Sequence, residues 1–254
     1  MTQRATLLAI DAGNTRTKWG VFDANGNLQS NGVTLNAELD AVNFPVTNRA
    51  IIANVAGEAH AKILTQKLAA TEVTFATPAA KACGVLNGYE NPSQLGIDRW
   101  AALIGAWHFK KNSCVVVNAG TAVTIDALIA KENHAEFVGG MILPGLNLMQ
   151  KCLHHGTAAL PNITENALST GSIFGKNTRQ AIFNGTLAAA IGAINTMHKA
   201  IQNMYQQTPQ IVLCGGSAVL IQQNFFKDGQ PNTDMKSTEI IENLVLDGLV
   251  RLSI

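Results

Sequence analysis

The sequence lacks the compositional signals of several protein classes. Lysine and arginine number 18 against 17 aspartates and glutamates, and the net charge of +1 gives no reason to expect binding to nucleic acid or to an anionic membrane. No run reaches the roughly 18 to 20 apolar residues of a membrane span. The apolar stretch near the N-terminus is short and ends at Asp11, unlike a secretory signal. These absences predict a cytoplasmic protein without nucleic-acid or membrane partners.

Cysteine is also scarce, with four residues and no C-x-x-C pair, so the spacing of zinc ligands is missing. Scattered cysteines of this kind predict reduced thiols in a cytoplasmic protein. His154 and His155 are neighbours, but no carboxylate or thiolate pattern accompanies them. We therefore favour a solvated or substrate-adjacent histidine pair over a pair of metal ligands.

What the sequence does contain is a strand–turn–strand pattern at residues 7–23. An apolar strand ends at Asp11, small polar residues follow, and Lys18 lies in the second strand. Gly13 permits a tight turn and would leave its N–H group accessible. Donors of this turn can face phosphate oxygens, and Asp11 can hold the accompanying metal ion. The pattern predicts a β-hairpin phosphate loop, with a tight hairpin bearing a polar tip as the alternative.

The same pattern returns in altered form at residues 114–126. Asn118-Ala119-Gly120 aligns with Asp11-Ala12-Gly13, and Thr124 aligns with Thr17. A supersecondary unit repeated at half the chain length indicates two similar domains. Two such hairpins could hold a polyphosphate from both sides of a cleft.

The order of the elements predicts a mixed sheet with helices on its faces in each half of the chain. With 254 residues, the chain is long enough for two domains, which we assign to residues 1–114 and 115–254. Further predictions are a helix over 58–70, a loop over 139–145 that leads into a helix, a long helix from Thr178 to about 204, and a closing helix over 240–252.

Asp98 and Arg99 form the most informative charged pair outside the hairpins. They stand at the start of a mostly apolar helix, and Tyr89 lies a short loop upstream. The pair could be a charge pair at a helix N-terminus, where aspartate suits the positive end of the dipole. It could equally be a carboxylate that accepts a hydroxyl proton beside an arginine that holds an anionic group.

Two further features allow a structural and a functional interpretation. Gly215-Gly216 follows an apolar strand and could let an adenine ring approach the backbone, although an ordinary strand-to-helix turn is the better interpretation of this feature alone. Thr178 could serve as a plain helix N-cap.

Six motifs follow one another in order along the chain. They are D-x-G-N-T-x-x-K, Y-x-x-P-x-x-L-G-x-D-R, G-T-A-x-T-x-D, G-G-x-I-x-P-G, T-x-x-L-P and G-x-x-T. From Asp11 to Gly215-Gly216 this set resembles the type III pantothenate kinases. The resemblance implies an α/β fold of two similar ribonuclease-H-like domains around a central cleft, as in actin, sugar kinases and heat-shock chaperones. It also implies a homodimer that phosphorylates pantothenate with ATP, the first step of coenzyme A synthesis.

The resemblance also implies roles for individual residues. Asp11 would lie near magnesium, and Thr121 of the second hairpin would contact ATP. The first hairpin would bind ATP through Asp11, Ala12, Gly13, Asn14, Thr15, Arg16, Thr17 and Lys18.

The same resemblance implies a pantothenate site. Asp98 would act as the general base and Arg99 would hold the carboxylate of the substrate. The binding residues would be Gly96, Ile97, Asp98 and Arg99, completed by Tyr89, by Thr178 and by Thr157, which would reach the pocket of the partner subunit.

One position departs from the family pattern. In many relatives the second hairpin begins with an aspartate that helps to bind an activating monovalent cation, K⁺ or NH₄⁺, whereas this chain has Asn118. An amide oxygen can coordinate potassium but brings no charge. We therefore expect weak or absent activation by potassium or ammonium.

Two other functions remain to be weighed against the kinase. A sugar kinase of the same superfamily would lack the pairing of Tyr89 with Arg99 that suits a carboxylate. A non-catalytic regulator is the second alternative, since some relatives are accessory factors in virulence-gene expression. The absence of helix-turn-helix signals and the near-zero net charge argue against direct DNA binding, and the intact base and hairpins argue against a dead scaffold.

Overall fold

The computed structural model describes residues 6–70, 72–163, 172–225 and 238–253. The strands in these ranges are β1 (Leu7–Ala12), β2 (Arg16–Phe22), β3 (Leu28–Leu35), β4 (Arg49–Asn54), β5 (Glu72–Phe75), β6 (Lys81–Ala82), β7 (Val85–Asn87), β8 (Cys114–Ala119), β9 (Ala122–Ala130), β10 (Ala135–Pro144), β11 (Gln210–Cys214) and β12 (Thr238–Ile240). The α-helices are α1 (Glu58–Lys67), α2 (Ile97–Lys110), α3 (Leu146–Gly156), α4 (Thr178–Tyr205), α5 (Ala218–Asn224) and α6 (Leu244–Leu252). Among these described helices, none combines the length and the apolar character needed to cross a membrane.

The chain divides into two compact units close to the expected boundary between residues 114 and 115. The first unit comprises Met1–Lys111, Lys131–Phe137 and Asn243–Ile254, and the second comprises Asn112–Ala130 and Val138–Glu242. Two later segments of the chain, Lys131–Phe137 and Asn243–Ile254, therefore belong to the first unit. The predicted division into 1–114 and 115–254 places both segments in the second domain.

Helix α6, which the sequence assigns to the second domain, belongs to the first unit because of how it packs on α2. A Cβ atom at Gly248 would overlap the carbonyl group of Ala101, and one at Gly105 would lie 2.5 Å from the carbonyl oxygen of Leu244. Only glycine at both positions lets the two helix backbones approach so closely. Leu249 of α6 is fully buried, so the closing helix completes the core of the first unit.

The first unit contains a sheet in the order β3-β2-β1-β4-β5. Strands β1, β2 and β3 are antiparallel neighbours, whereas β4 runs parallel to β1 and β5 parallel to β4. Leu8 and Ile10 of β1 point to one face of the sheet and share an apolar cluster with Leu39 and with Leu64 of α1. Successive residues of a strand alternate between faces, and this alternation decides which side chains of the first hairpin meet.

The second unit repeats this strand order as β10-β9-β8-β11-β12. Strands β8 and β9 are antiparallel, β11 runs parallel to β8, and β12 runs parallel to β11. Helix α4 covers one face through buried residues such as Phe183 and Ile194, which pack against Val117 and Ile125 of the sheet. The equal order of strands in the two units agrees with the predicted duplicated fold.

Three local expectations are corrected by the structure. The expected loop at 139–145 is mostly strand, since β10 runs to Pro144, and Gly139 fits there with a φ of 133° that glycine tolerates. The closing helix starts at Leu244, after a strand that contains Ile240. Thr178 is not an N-cap, because the side chain of Asn177 caps α4 by accepting the N–H of Gln180 at 3.0 Å.

Candidate functional site

The first hairpin joins β1 to β2 and sets a carboxylate opposite an ammonium group. Asp11 pairs with Lys18 across the two strands, so both side chains lie on the same face of the sheet. Residues 13–16 form the tip, which closes through a 3.1 Å hydrogen bond from the N–H of Gly13 to the carbonyl of Arg16. The expectation that the Gly13 N–H group stays accessible is therefore wrong, because the turn itself uses that donor.

Thr17 lies on the other face of the sheet. Thr17 pairs with Ala12, the residue after Asp11, and neighbouring residues of a strand point to opposite faces. The side chain of Thr17 is fully buried. Its hydroxyl group lies 2.9 Å from Nε2 of His60 on α1, whereas the tip residues Asn14, Thr15 and Arg16 are exposed. The structure thus separates Thr17 from the other hairpin residues that we expected to face phosphate.

The carboxyl group of Asp11 is electrostatically unusual. Burial raises its pKa from 3.8 to about 7, the nearby carboxylate of Asp98 raises this pKa as well, and Lys18 lowers it. The structure therefore brings together Asp11 of β1 and Asp98 of α2, which are 87 positions apart in the sequence. Two neighbouring carboxylates that repel each other are a favourable environment for a divalent cation, since oxygen ligands are those that Mg²⁺ prefers.

Asp98 stands in the first turn of α2, where the helix dipole favours its negative charge. Gly96 precedes the helix as its N-cap, and a Cβ atom there would lie 2.6 Å from Oδ1 of Asp98. Glycine at this position leaves room for the carboxylate beside the start of the helix. Ile97, between the two, is a buried residue of the core.

Arg99 is held in a buried aromatic environment. It is 5% exposed, and its Nη1 donates a 2.8 Å hydrogen bond to the hydroxyl group of Tyr89. The guanidinium carbon lies 5.6 Å from the ring centre of Tyr89 and 5.7 Å from that of Phe137, within the range of cation–π attraction. The predicted partnership of Tyr89 and Arg99 is present, whereas Phe137 belongs to no motif and was not anticipated.

The second hairpin has a neutral pair where the first has a charged one. Asn118 pairs with Thr124, and Ala119 pairs with Val123. By strand register, Thr124 corresponds to Lys18 and not to Thr17, so the alignment of Thr17 with Thr124 is wrong. The reason is the length of the tip, which comprises residues 13–16 in the first hairpin and 120–122 in the second.

Backbone contacts of two glycines hold the tip of the second hairpin. The N–H of Gly145 donates a 2.9 Å hydrogen bond to the carbonyl oxygen of Thr121, and a Cβ atom at Gly145 would lie 2.6 Å from that oxygen. Thr121 itself is an exposed residue. Gly215 has a φ of 92°, and a Cβ atom there would lie 2.6 Å from the carbonyl oxygen of Ala119. This packing explains Gly215 as part of a turn, while Gly216 is exposed with open space around it.

Thr157 and Thr178 lie at helix ends within the second unit. Thr157 follows α3 and donates a 2.8 Å hydrogen bond to the carbonyl of Leu153, and Thr178 is the exposed first residue of α4. Nearby, Nδ1 of His154 lies 2.8 Å from the carbonyl oxygen of Leu160. Over the residues that the structure describes, no group of three or more His, Cys, Asp or Glu side chains could hold a metal ion.

Comparison of the sequence with known proteins points to one family. The model of the type III pantothenate kinase family matches residues 7–200. A type III pantothenate kinase of Nitrosospira multiformis is 37% identical over 255 residues, covering 97% of this chain and 90% of the relative. One from Methylobacillus flagellatus is 38% identical over 254 residues, covering 96% of both.

Solved structures resemble the chain in fold. A Campylobacter jejuni protein assigned to the Baf family of transcriptional activators has a TM-score of 0.58 at 19% identity, over 96% of both chains. A Sinorhizobium meliloti protein assigned as a 2-dehydro-3-deoxygalactonokinase has a TM-score of 0.57 at 13% identity, over 96% of this chain and 97% of that one. Likeness at such low identity concerns the fold alone, and it confirms the predicted duplicated α/β fold, which the sugar-acid kinase shares.

Proposed function

Because the chain belongs to the family of type III pantothenate kinases, we propose that Asp98 and Arg99 are the residues that activate and hold its substrate. The chain uses ATP to phosphorylate pantothenate, the first step of coenzyme A biosynthesis. Pantothenate presents a primary hydroxyl group that receives the phosphoryl group and a carboxylate that carries its charge. A site for it needs a proton acceptor and a fixed cation.

The observation that carries this proposal is the adjacent carboxylate and buried guanidinium at the start of α2. Asp98 would accept the proton of the pantothenate hydroxyl group as its oxygen attacks phosphorus. Arg99, fixed by Tyr89 and Phe137, would bind the substrate carboxylate through its planar set of N–H donors. Burial strengthens this ionic contact, because a lower local dielectric screens it less.

The residues of each hairpin, taken by itself, are suited to binding ATP and magnesium. Asp11 would hold the magnesium ion, whose chemistry is to neutralise charge on the β- and γ-phosphates. Lys18 would add positive charge beside it. The exposed residues 14–16 and Thr121 would supply further donors to the nucleotide.

We also propose a homodimer that uses the exposed face of α4. Small residues recur along this face at Ala181, Gly185, Ala188 and Gly192, and the space beyond both glycines is open. Phe174, just before the helix, is 79% exposed and would add apolar surface to such an interface. In such a dimer, Thr157 or Thr178 would reach toward the pocket of the partner subunit.

Light scattering at micromolar concentration tests the dimer, with Gly185→Trp as a variant that blocks close helix packing. We expect the wild type to have twice the mass of one chain, 26.9 kDa, and the variant to be monomeric. A wild-type protein that is monomeric and active would refute the dimer and leave the kinase assignment unchanged.

The catalytic assignment is tested by Asp98→Asn, which keeps the shape of the side chain and removes its ability to accept a proton. We expect kcat to fall roughly 10²- to 10⁴-fold while ATP binds nearly as well as to the wild type. A coupled assay with pantothenate, glucose and other sugars distinguishes this enzyme from a sugar kinase. Wild-type turnover in the Asn variant would remove Asp98 from the mechanism.

The substrate charge is tested by Arg99→Lys, because lysine cannot reproduce the planar donor set of arginine. We expect KM to rise for pantothenate much more than for ATP, and neutral pantothenamides to be affected less. An equal rise for both substrates would mean that Arg99 acts on structure or on phosphate.

A further inference from the structure

A hydrogen-bond network with buried and half-buried members lies behind the first hairpin and reaches its tip. The hydroxyl group of Thr17 lies 2.9 Å from Nε2 of His60 and 2.9 Å from Oδ1 of Asn36. The side-chain amide of Asn36 donates a 2.8 Å hydrogen bond to the carbonyl of Gly13, and its backbone N–H donates at 3.0 Å to the carbonyl of Thr15. Asn36 thus holds two carbonyl groups of the hairpin.

The direction of each hydrogen bond in this network follows from the available protons. The NH₂ group of Asn36 is used on Gly13, so its oxygen accepts the single proton of the Thr17 hydroxyl group. The hydroxyl oxygen must then accept from His60, which requires a proton on Nε2. Burial lowers the pKa of His60, which favours its neutral form. The result is a directed chain from His60 through Thr17 to Asn36.

Apolar packing alone does not explain this network. Thr17 is fully buried and His60 is 8% exposed, next to the cluster that contains Ala12, Leu39 and Leu64. Valine has nearly the shape of threonine and would fill the same space without a buried hydroxyl group that needs partners. The polar chain instead connects helix α1 to the backbone of the tip.

We propose that His60 and Asn36 are positioning residues for phosphoryl transfer, which fix the backbone of the tip in the shape that binds ATP. This inference rests on the proposed contact between the tip and ATP. A carbonyl oxygen repels a phosphate oxygen, so rotated peptides at Gly13 and Thr15 would weaken nucleotide binding. The hydrogen bonds from Asn36 oppose that rotation, and the chain through Thr17 keeps Asn36 in place.

The test compares His60→Leu, which removes the donor, with His60→Gln, whose side-chain amide can donate to Thr17. We expect His60→Leu to raise KM for ATP roughly 5- to 20-fold, the effect of a tip held loosely, and to leave KM for pantothenate within about twofold. We expect His60→Gln to recover most of the loss. Thr17→Val, which preserves shape and removes the hydroxyl group, should resemble His60→Leu and covers the case in which that variant folds poorly.

A matched control separates positioning from stability. Leu64→Val alters the same apolar cluster from the same helix without touching the network, so it should lower the melting temperature and leave KM for ATP unchanged. If His60→Leu and Thr17→Val lower only the melting temperature, or raise KM equally for both substrates, the network is merely structural and the inference fails.

Arg16→Ala distinguishes that failure from a failure of the ATP assignment. Arg16 is an exposed tip residue, and its side chain is outside the network. A raised KM for ATP in Arg16→Ala, with none in His60→Leu, would overturn the positioning role alone. An unchanged KM for ATP in Arg16→Ala, His60→Leu and Thr17→Val would overturn the assignment of the tip to ATP as well.

Discussion

The two hairpins of this enzyme share strand order and differ in charge and in how their tips are held. The first sets Asp11 opposite Lys18, whereas the second sets Asn118 opposite Thr124. Hydrogen bonds of the half-buried Asn36 hold the first tip, and close backbone contacts of glycines hold the second. The two hairpins therefore share a backbone arrangement and differ in the charges of their paired side chains. The charged chemistry belongs to the first hairpin.

The difference appears most clearly in the ionisation of Asp11. A carboxyl group with a pKa near 7 beside a second carboxylate opposes stability, because folding removes water from a charge and adds repulsion. Such perturbed groups cluster at functional sites. Asn118, in the corresponding place of the second hairpin, carries no such cost.

The largest expected effect comes from making the first hairpin resemble the second. We expect Asp11→Asn to lower kcat/KM for ATP with magnesium roughly 10³-fold, about 4 kcal/mol, because the metal loses its charged ligand. Asn118→Ala, at the corresponding place, should lower it less than about tenfold. Steady-state kinetics at saturating pantothenate measure both. Equal losses would mean that the two hairpins are functionally alike.

The sequence predicted both hairpins, the pairing of Tyr89 with Arg99, and the duplicated fold. The hairpins and their repetition were predictable because turn residues and apolar strands leave local signals, whereas Tyr89 and Arg99 were identified by their closeness in sequence and by the motif that contains both. It could not place Thr17, because a residue's face depends on how many residues the tip contains, and the two tips differ in length. Phe137 and His60 leave no local signal either, since tertiary packing alone brings them to Arg99 and Thr17.

A glycine substitution in each hairpin compares how the tips are held. Gly215→Ala should destabilise the protein by about 3 kcal/mol, because the new methyl group would meet the backbone of Ala119 and φ is 92°. Gly13→Ala should cost less, about 1 kcal/mol, because Gly13 is not among the glycines with positive φ and only the carbonyl oxygen of Arg16, at 3.2 Å from the new methyl group, would have to shift. Urea denaturation measures both. A reversed order would contradict the distinction between tips.

The raised pKa of Asp11 also predicts how stability depends on pH. Because the folded-state pKa lies above the unfolded value of 3.8, the stability linked to the protonated carboxyl group is complete below pH 3.8 and is lost as pH rises through about 7. Asp11→Asn should therefore be more stable than the wild type at pH 8, by at most about 4 kcal/mol because each unit of the raised pKa corresponds to about 1.4 kcal/mol, with little difference near pH 4. Urea denaturation with EDTA present measures this.

The control for this prediction is Asp40→Asn, which alters an exposed carboxylate of the same unit. It should leave stability unchanged at both pH values. If Asp11→Asn shows no advantage at pH 8, the carboxyl group is better solvated than its position implies, and the electrostatic contrast between the hairpins weakens.

The smallest expected effect concerns the neutral pair of the second hairpin. A monovalent cation at Asn118 would gain an amide oxygen but no charge, and a contact charge in a partly desolvated site contributes a few kcal/mol at an effective dielectric near ~20. Solvent and the ion's own dehydration offset most of that gain. We therefore expect weak or absent activation of the wild type by potassium or ammonium, and activation of a few fold in Asn118→Asp. The measurement is rate against potassium at constant ionic strength, balanced with a bulky organic cation. Strong, saturable activation of the wild type would show that neutral oxygens suffice, and the charge difference between the hairpins would then not decide cation binding.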